Sequence, residues 1–228
     1  MKNLHSRMKM ISTMASTMLV FACFSHAASA QDQMARMHSA MMAADRPAEN
    51  KARDEARKPI ETIEFLGIKD GMTVLDVIAA GGWFTEVLSA AVGPTGKVYS
   101  QNPAFFIGQP GFTDKEDMLV KRLGNVTPGH GELSEGGING QVDVAVTAMN
   151  LHDMFGNGGM AGGVALAKGV YDALKPDGVF GVIDHMGIDG QDNKQLHRIR
   201  MADAVAVLEQ AGFTIEASSD LLANPADD

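Results

Sequence analysis

Residues 71–86 read Gly-Met-Thr-Val-Leu-Asp-Val-Ile-Ala-Ala-Gly-Gly-Trp-Phe-Thr-Glu, an apolar run followed by a glycine pair. The run Thr73–Ile78 is rich in β-branched residues and predicts a buried strand. From Phe84, apolar residues recur at three- and four-residue spacing, which predicts a helix that ends at Gly93. A strand joined to a helix by a tight glycine turn is the first half of a strand–helix–strand unit.

The rest of the chain repeats this alternation of short apolar runs and helical patterns. We predict further strands at 97–100, 125–127, 142–148, 179–183 and 213–217, and helices at 114–123, 164–174 and 193–210. Strands that alternate with helices pair in parallel, and the helices cover both faces of the sheet. The sequence therefore predicts an α/β fold with a Rossmann-like open parallel sheet over residues 60–228.

Length and composition restrict the class of protein. The chain has 228 residues, of which 45% are hydrophobic and 21% charged, with one cysteine and a formal net charge of −9. This composition excludes collagen, a disulfide-rich scaffold and a wholly disordered chain. Because the chain is acidic and has no basic run, we expect no nucleic acid partner.

Residues 1–30 have the pattern of a secretory signal peptide. Basic residues precede a short apolar run over 10–24, and Ala28-Ser29-Ala30 is a small-residue cleavage site. We therefore expect a periplasmic or secreted protein with no integral membrane span after cleavage. An uncleaved anchor is an alternative, and the bulky Phe21 disfavours lipoprotein processing at Cys23.

Residues 31–59 form a second predicted unit, a flexible Met-rich segment followed by a helical arm. Its methionines from Met34 to Met42 repeat at helical spacing, which is typical of an apolar face. Thioether ligands for copper(I) are the alternative interpretation of this stripe. Further along, the glycine-rich residues 156–163 predict a loop.

The glycine pair after the first strand is a candidate ligand site. In an open parallel sheet, ligands bind beyond the carboxyl ends of the strands, where glycines let the backbone approach and a helix N-terminus offers N–H groups. The chain lacks the G-x-G-x-x-G dinucleotide fingerprint and the G-x-x-x-x-G-K-[ST] phosphate loop. NAD- and ATP-dependent functions are therefore disfavoured.

Several motifs together resemble the class I S-adenosylmethionine-dependent methyltransferases. They are the run 71–86, the turn Lys175-Pro-Asp-Gly178, Asn150-Leu-His-Asp153 after the fourth strand and Asp184-His185 after the fifth. The whole pattern is most similar to bacterial predicted methyltransferases that carry signal peptides. The resemblance covers about residues 45–228 and implies S-adenosyl-L-methionine as cofactor and a small molecule as methyl acceptor.

The resemblance also implies where the cofactor lies. It would cross the end of the first strand, and the implied cofactor-binding residues are Asp76, Gly81, Gly82, Asn102, Glu132 and Asn150. Of these, Asn102 stands near the ribose, where the family usually has an acidic residue, and Glu132 near the adenine amine. Ile78 and Ala80 occupy positions where the family often has glycine.

The implied catalytic residues are His152, Asp153 and His185, which follow the fourth and fifth strands. A neutral imidazole there can take a proton from the acceptor during methyl transfer. The alternative is that Asn150, His152 and Asp184 only hold the loop ends together by hydrogen bonds. Neither His130 nor any of these histidines has helical ligand spacing to another, so we expect no metal site.

Three functions remain open at this point. The first is a methyltransferase; the second is a non-catalytic exported ligand-binding protein on the same fold, since Ile78, Ala80 and Asn102 depart from the family pattern. The third is an enzyme that uses His152 and Asp153 without transferring a methyl group. Residues 218–228 show no apolar alternation, so the sheet is expected to lack the last antiparallel strand. An open strand edge there would favour self-association.

Overall fold

The computed structural model describes residues 30–224. Five strands form one all-parallel sheet in the order β3-β2-β1-β4-β5, and each overlaps one of the predicted apolar runs. This arrangement confirms the predicted α/β class. The strands are β1 (Thr73–Val77), β2 (Lys97–Asn102), β3 (Val126–His130), β4 (Val142–Ala148) and β5 (Leu174–Ile183).

Helices flank the sheet and precede it. In the described part of the chain they are α1 (30–42), α2 (Ala48–Lys51), α3 (Asp54–Arg57), α4 (Pro59–Phe65), α5 (Trp83–Val92), α6 (Ala104–Ile107), α7 (Phe112–Leu123), α8 (Leu151–Ala173) and α9 (Met201–Ala211). Helix α5 is buried along its whole length and packs against β1 and β2. Because α5 follows β1 directly, its N-terminus lies at the carboxyl end of the sheet.

The Met-rich segment is a helix rather than a flexible segment. Met37 and Met41 on α1 lie in the hydrophobic core, which makes them an apolar face as the spacing indicates, whereas Met42 is 78% exposed. Gln33 Nε2 donates to the carbonyl oxygens of Ile68 and Ala91, and Arg36 Nε donates to the Ala90 carbonyl at 2.9 Å. These side chains satisfy carbonyl groups near the end of α5, which fixes α1 on the domain.

A buried ion network fastens the short helices to α5. Arg46 is 3% exposed and donates through Nε to Glu86 Oε2 at 2.8 Å, and its other nitrogens bond Asp54. Glu86 also accepts from Asn50 and pairs with Arg122 of α7. Removing one member would leave a buried charge without its partner, so this network holds the arm in place.

The predicted sixth strand, 213–217, is wrong: the chain is irregular there. Only Phe213 packs inward, with its ring 5.4 Å from Phe180 and 5.3 Å from Tyr171, whereas Ile215 is 41% exposed. Apolar residues that alternate along the chain form a strand only where one face packs against other elements, and residues 214–217 have no such surface. The described sheet therefore has β3 and β5 as its edges.

One loop prediction and one helix prediction also need correction. Residues 156–163 belong to α8 and not to a loop, with a single kink at Gly159. Their glycines allow close packing, since a Cβ on Gly163 would lie 2.9 Å from Val207 of α9. The predicted helix 193–210 begins only at Met201, because the Asn193 side chain bonds the backbone of Ile188 and folds residues 188–198 into a turn.

The predicted signal peptide and Cys23 lie outside the described residues. Within residues 30–224, no helix has both the length and the apolar character needed to cross a membrane.

Candidate functional site

The strand order changes direction next to β1, which is where a ligand crevice forms in sheets of this type. The chain passes outward from β1 to β2 and β3, then returns to pair β4 on the other side of β1. The loops after β1, β2, β4 and β5 therefore meet at one edge. Almost all of the predicted site residues lie in these loops or at the adjoining strand ends.

The loop between β1 and α5 has an unusual backbone. Ile78 (φ 58°), Ala80 (φ 48°) and Gly82 (φ 75°) are all left-handed, although only the last is a glycine. A left-handed β-branched residue is strained and persists only where its surroundings hold it. The loop thus has a backbone conformation that favours glycine at two positions that are not glycine.

The two glycines of this loop differ in their surroundings. A Cβ on Gly81 would meet no atom within 4 Å, and the residue is exposed. A Cβ on Gly82 would lie 2.3 Å from Leu119 Cδ2. Gly82, the N-cap of α5, has no side chain to bond the first turn, in which Asp76 accepts the Thr85 N–H. The open face of the loop is therefore at Gly81, beside this N-terminus.

Two side-chain amides at the end of β2 hold this strained loop. Gln101 Oε1 accepts from the Ile78 N–H at 3.1 Å, and Asn102 Oδ1 accepts from the Ala80 N–H at 2.7 Å. Asn102 is 1% exposed, and its Nδ2 faces Glu116 Oε1 at 3.4 Å. The structure therefore places Asn102 beneath the loop as a support, with its oxygen already engaged.

Glu116 is a residue that the sequence analysis missed. It is buried on α7, and its Oε2 lies 2.6 Å from His130 Nε2 at the end of β3. Glu132, the acidic residue singled out from the sequence, is exposed two residues after β3. The carboxylate that reaches the end of β2 thus belongs to Glu116 of α7. In the sequence Glu116 looks like the other acidic residues of this charged helix, and only its burial in the structure distinguishes it from them.

Asp76 faces inward from β1. It is 2% exposed, and Thr85 Oγ1 donates to its Oδ2 at 2.6 Å. Burial raises the pKa of Asp76 to about 7, and the hydrogen bonds from Thr85 oppose this rise. Asp76 ties the start of α5 to β1 and so stabilises the loop from below.

On the other side of β1, Asn150 joins the end of β4 to the same loop. Its Nδ2 donates to the Ala148 carbonyl at 2.9 Å and to Thr147 Oγ1 at 3.2 Å, with longer contacts to the carbonyls of Val77 and Ile78. This is the hydrogen-bonding role that was weighed as the alternative for Asn150.

A histidine–carboxylate pair occupies the rim formed by β4 and β5. His152 is 5% exposed, and its Nδ1 donates to Asp184 Oδ1 at 2.5 Å. The carboxylate of Asp184 also accepts the backbone N–H groups of His152, at 3.0 Å, and of His185, at 2.8 Å. Three donors hold Asp184, and Asp184 in turn fixes the orientation of the imidazole; in the neutral ring that donates through Nδ1, the lone pair is on Nε2.

His152 lines a cavity of about 340 Å³, and residues between 192 and 197, most of which the sequence analysis placed in a helix, form its other side. Asp153 Oδ1 is 3.5 Å from His152 Nε2 and 2.9 Å from His197 Nδ1. His197 comes from the turn before α9, which the sequence analysis placed in a helix. His185 is nearby but less close, with ring centroids 6.3 Å apart. The structure thus brings His152 and Asp153 together with an unpredicted histidine.

Solved structures of three other proteins share this arrangement of strands and helices. An S-adenosylmethionine-dependent methyltransferase from Aquifex aeolicus aligns over 73% of this chain and 85% of its own, with 24% identity and a TM-score of 0.59. The chain has the class I methyltransferase fold. No protein-family model and no curated protein sequence matches it.

The other two likenesses cover a smaller share of the relative. A possible exported protein from Bordetella parapertussis aligns over 72% of this chain and 62% of its own, with 17% identity and a TM-score of 0.52. Fibrillarin from Aeropyrum pernix, solved with natively bound S-adenosyl-L-methionine, aligns over 69% and 66%, with 16% identity and a TM-score of 0.50. At these identities the likeness concerns the fold.

Proposed function

We propose that this protein is an S-adenosylmethionine-dependent methyltransferase that acts on a small-molecule acceptor. The observation that supports this most strongly is the β1–α5 loop, which keeps a left-handed backbone at Ile78 and Ala80 at an energetic cost. Strained residues of this kind concentrate at ligand sites, and these two lie at the carboxyl end of β1, where sheets of this type bind ligands.

The residues around the loop fit the cofactor in shape and chemistry. Gly81 leaves open space above the backbone, beside the N-terminus of α5, whose N-cap Gly82 has no side chain in the way. Asp76, Gly82, Asn102 and Asn150 would act as supports of this cradle through the loop backbone. Glu132 lies exposed just beyond β3, where it can reach a ligand at that end of the site.

We assign His152 to the methyl acceptor. Bound S-adenosylmethionine would supply an electrophilic methyl group, which the acceptor's nucleophile would take as the carbon–sulfur bond breaks. Because Asp184 holds the Nδ1 proton, Nε2 can receive the proton that the nucleophile loses. Asp184 then stabilises the imidazolium, and Asp153 and His185 line the same rim.

The acceptor side suits a small polar molecule. The cavity beside His152 is lined by charged and polar groups that include Asp153, Asp192, Lys194 and His197. A volume of about 340 Å³ lies at the small end of the range for small-molecule sites. Together with the signal-like sequence 1–30, this supports an exported enzyme of small-molecule metabolism.

The test is a turnover assay with methyl-labelled S-adenosylmethionine and a panel of small phenols, amines, thiols and carboxylates. We expect at least one acceptor to gain label in step with the formation of S-adenosylhomocysteine. Cofactor binding without transfer to any member of the panel would instead favour the ligand-binding protein. That alternative draws on one observation, the engaged amide of Asn102 where a carboxylate would otherwise bind the ribose.

A further inference from the structure

We propose that His152, Asp153 and His197 form a binding site for a divalent transition metal, zinc in the first place. Their ligand atoms, two imidazole nitrogens and a carboxylate oxygen, all lie within 4.8 Å of one another at the cavity beside α8. Two histidines and one carboxylate are a common donor set for zinc and iron(II). This site goes beyond methyl transfer, since metal binding needs neither cofactor nor acceptor.

Two distances between the donor atoms match a metal's coordination shell. Asp153 Oδ1 lies 3.5 Å from His152 Nε2 and 2.9 Å from His197 Nδ1. Ligands at the usual zinc bond length of about 2.1 Å are separated by roughly 3.0–3.4 Å in octahedral or tetrahedral geometry. The carboxylate oxygen is thus already near ligand-to-ligand distance from both nitrogens, and the nitrogens lie within 4.8 Å of each other.

The hydrogen bonds of His152 point the same way. Asp184 accepts the Nδ1 N–H at 2.5 Å, so a neutral ring has its lone pair on Nε2, which lies 3.5 Å from the Asp153 carboxylate oxygen. Two electron-pair donors in this arrangement need a proton or a cation between them. A carboxylate behind a ligating histidine is also the usual outer partner of zinc histidines, because it fixes the ring and raises its basicity.

The third ligand is held by its own loop. His197 has a left-handed backbone (φ 53°). Two contacts of Asn193 fix the turn around it. The Asn193 side chain bonds the backbone of Ile188, and the Asn193 carbonyl accepts the Arg198 N–H at 2.8 Å. Strained residues of this kind concentrate at ligand sites. His197 is therefore positioned independently of its contact with Asp153.

The surrounding charges favour a cation on balance. Asp184 lies behind His152, and Asp192 lines the cavity; Lys194 and the N-terminus of α8 oppose them. Since Nε2 can hold a proton or a metal but not both, a bound ion would withdraw the base proposed for methyl transfer.

The experiment titrates zinc into the purified full chain by calorimetry, without cofactor, and repeats it with cobalt(II) to detect visible d–d bands. We expect one ion per chain, and affinity about a hundredfold weaker in His197→Ala and Asp153→Ala. Asp184→Asn should weaken binding about tenfold, because the ring loses its charged partner. The exposed His38 lies outside the cluster, so His38→Ala is the matched control and should bind as the parent does.

His197 is largely exposed, so its replacement leaves folding intact, which circular dichroism checks. No zinc binding at millimolar concentration, or equal affinity in the parent and in His197→Ala, would show a surface ion pair only and overturn the site. Cofactor binding is measured separately in the presence of a chelator, so failure of the metal site and failure of the methyltransferase proposal are distinguishable.

Discussion

The loop after β1 and the rim after β4 and β5 lie at the same edge of the sheet but are built in opposite ways. Beneath the loop, the polar side chains of Asp76, Gln101 and Asn102 are buried, and their hydrogen bonds are made within the protein. At the rim, Asp184 orients His152 toward a cavity, where Asp153 and His197 converge. The loop contributes a backbone shape, and the rim contributes reactive side chains.

This difference separates the effects expected from substitutions. Changes in the loop should alter folding stability first, because its side chains act through buried hydrogen bonds. Changes at the rim should alter chemistry or metal binding with less effect on stability, because Asp153 and His197 are partly or largely exposed.

The largest expected effect is on the pH dependence of stability, through Asp76→Asn. The pKa of Asp76 is raised to about 7 by burial, so between pH 4 and 7 the native state keeps a proton that the unfolded chain has lost. The parent therefore loses stability as pH rises through this window, by about 4 kcal/mol at most. The asparagine variant lacks this loss. Urea unfolding should show that the free energy of unfolding of the variant, relative to the parent, is higher at pH 8 than at pH 4.5. The same difference between variant and parent at both pH values would contradict the burial of a protonated Asp76.

The second prediction compares the two loop glycines. Gly82→Val puts a β-branched residue at φ 75° and a Cβ against Leu119, and should destabilise the fold by about 3 kcal/mol. Gly81→Val meets open space and should change stability by less than about 0.5 kcal/mol. Denaturant midpoints of the two variants measure the difference. Equal midpoints would mean that the loop is not held as described.

The third prediction concerns the rim. His152→Ala should lower turnover by about a hundredfold, because no base remains to take the proton from the methyl-accepting substrate. Affinity for S-adenosylhomocysteine should stay unchanged. His38→Ala is the control. A parallel fall in unfolding free energy and turnover would instead assign His152 a structural role, in line with its bond to Asp184.

The smallest effect is a gain in stability from Ala80→Gly. Alanine at φ 48° is strained, so glycine should stabilise the fold by about 1 kcal/mol. Ala79, next to it, has no such backbone, and Ala79→Gly should destabilise by a similar amount. If thermal unfolding showed that both variants change the unfolding temperature in the same direction, backbone strain at Ala80 would not explain the effect.

The contiguous parts of this molecule could be predicted from sequence. Thr73–Val77 and Trp83–Val92 are set by apolar patterns along a single run, and β4 matches its predicted bounds of 142–148. The fold follows from the order of such runs. The predicted strand 213–217 failed because alternation does not reveal whether a packing surface exists.

The site could be predicted only in part, because it joins residues distant in sequence. His152, Asp153 and Asp184 follow the ends of β4 and β5, so the order of the strands predicts that they share one rim. His197 lies 44 positions beyond Asp153, on a turn that the helical pattern conceals. Glu116 resembles any acidic residue of a solvated helix until its burial is known.

The central claim is that the β1–α5 loop holds S-adenosylmethionine at its open face, and calorimetric titration with S-adenosylhomocysteine tests it most directly. We expect saturable one-to-one binding by the parent, at least about tenfold weaker binding by Gly81→Val, and parent-like binding by Gly158→Val, whose new side chain also meets open space but on α8. A folded parent that shows no binding at millimolar ligand, or a Gly81→Val variant that binds as tightly as the parent, would contradict the claim.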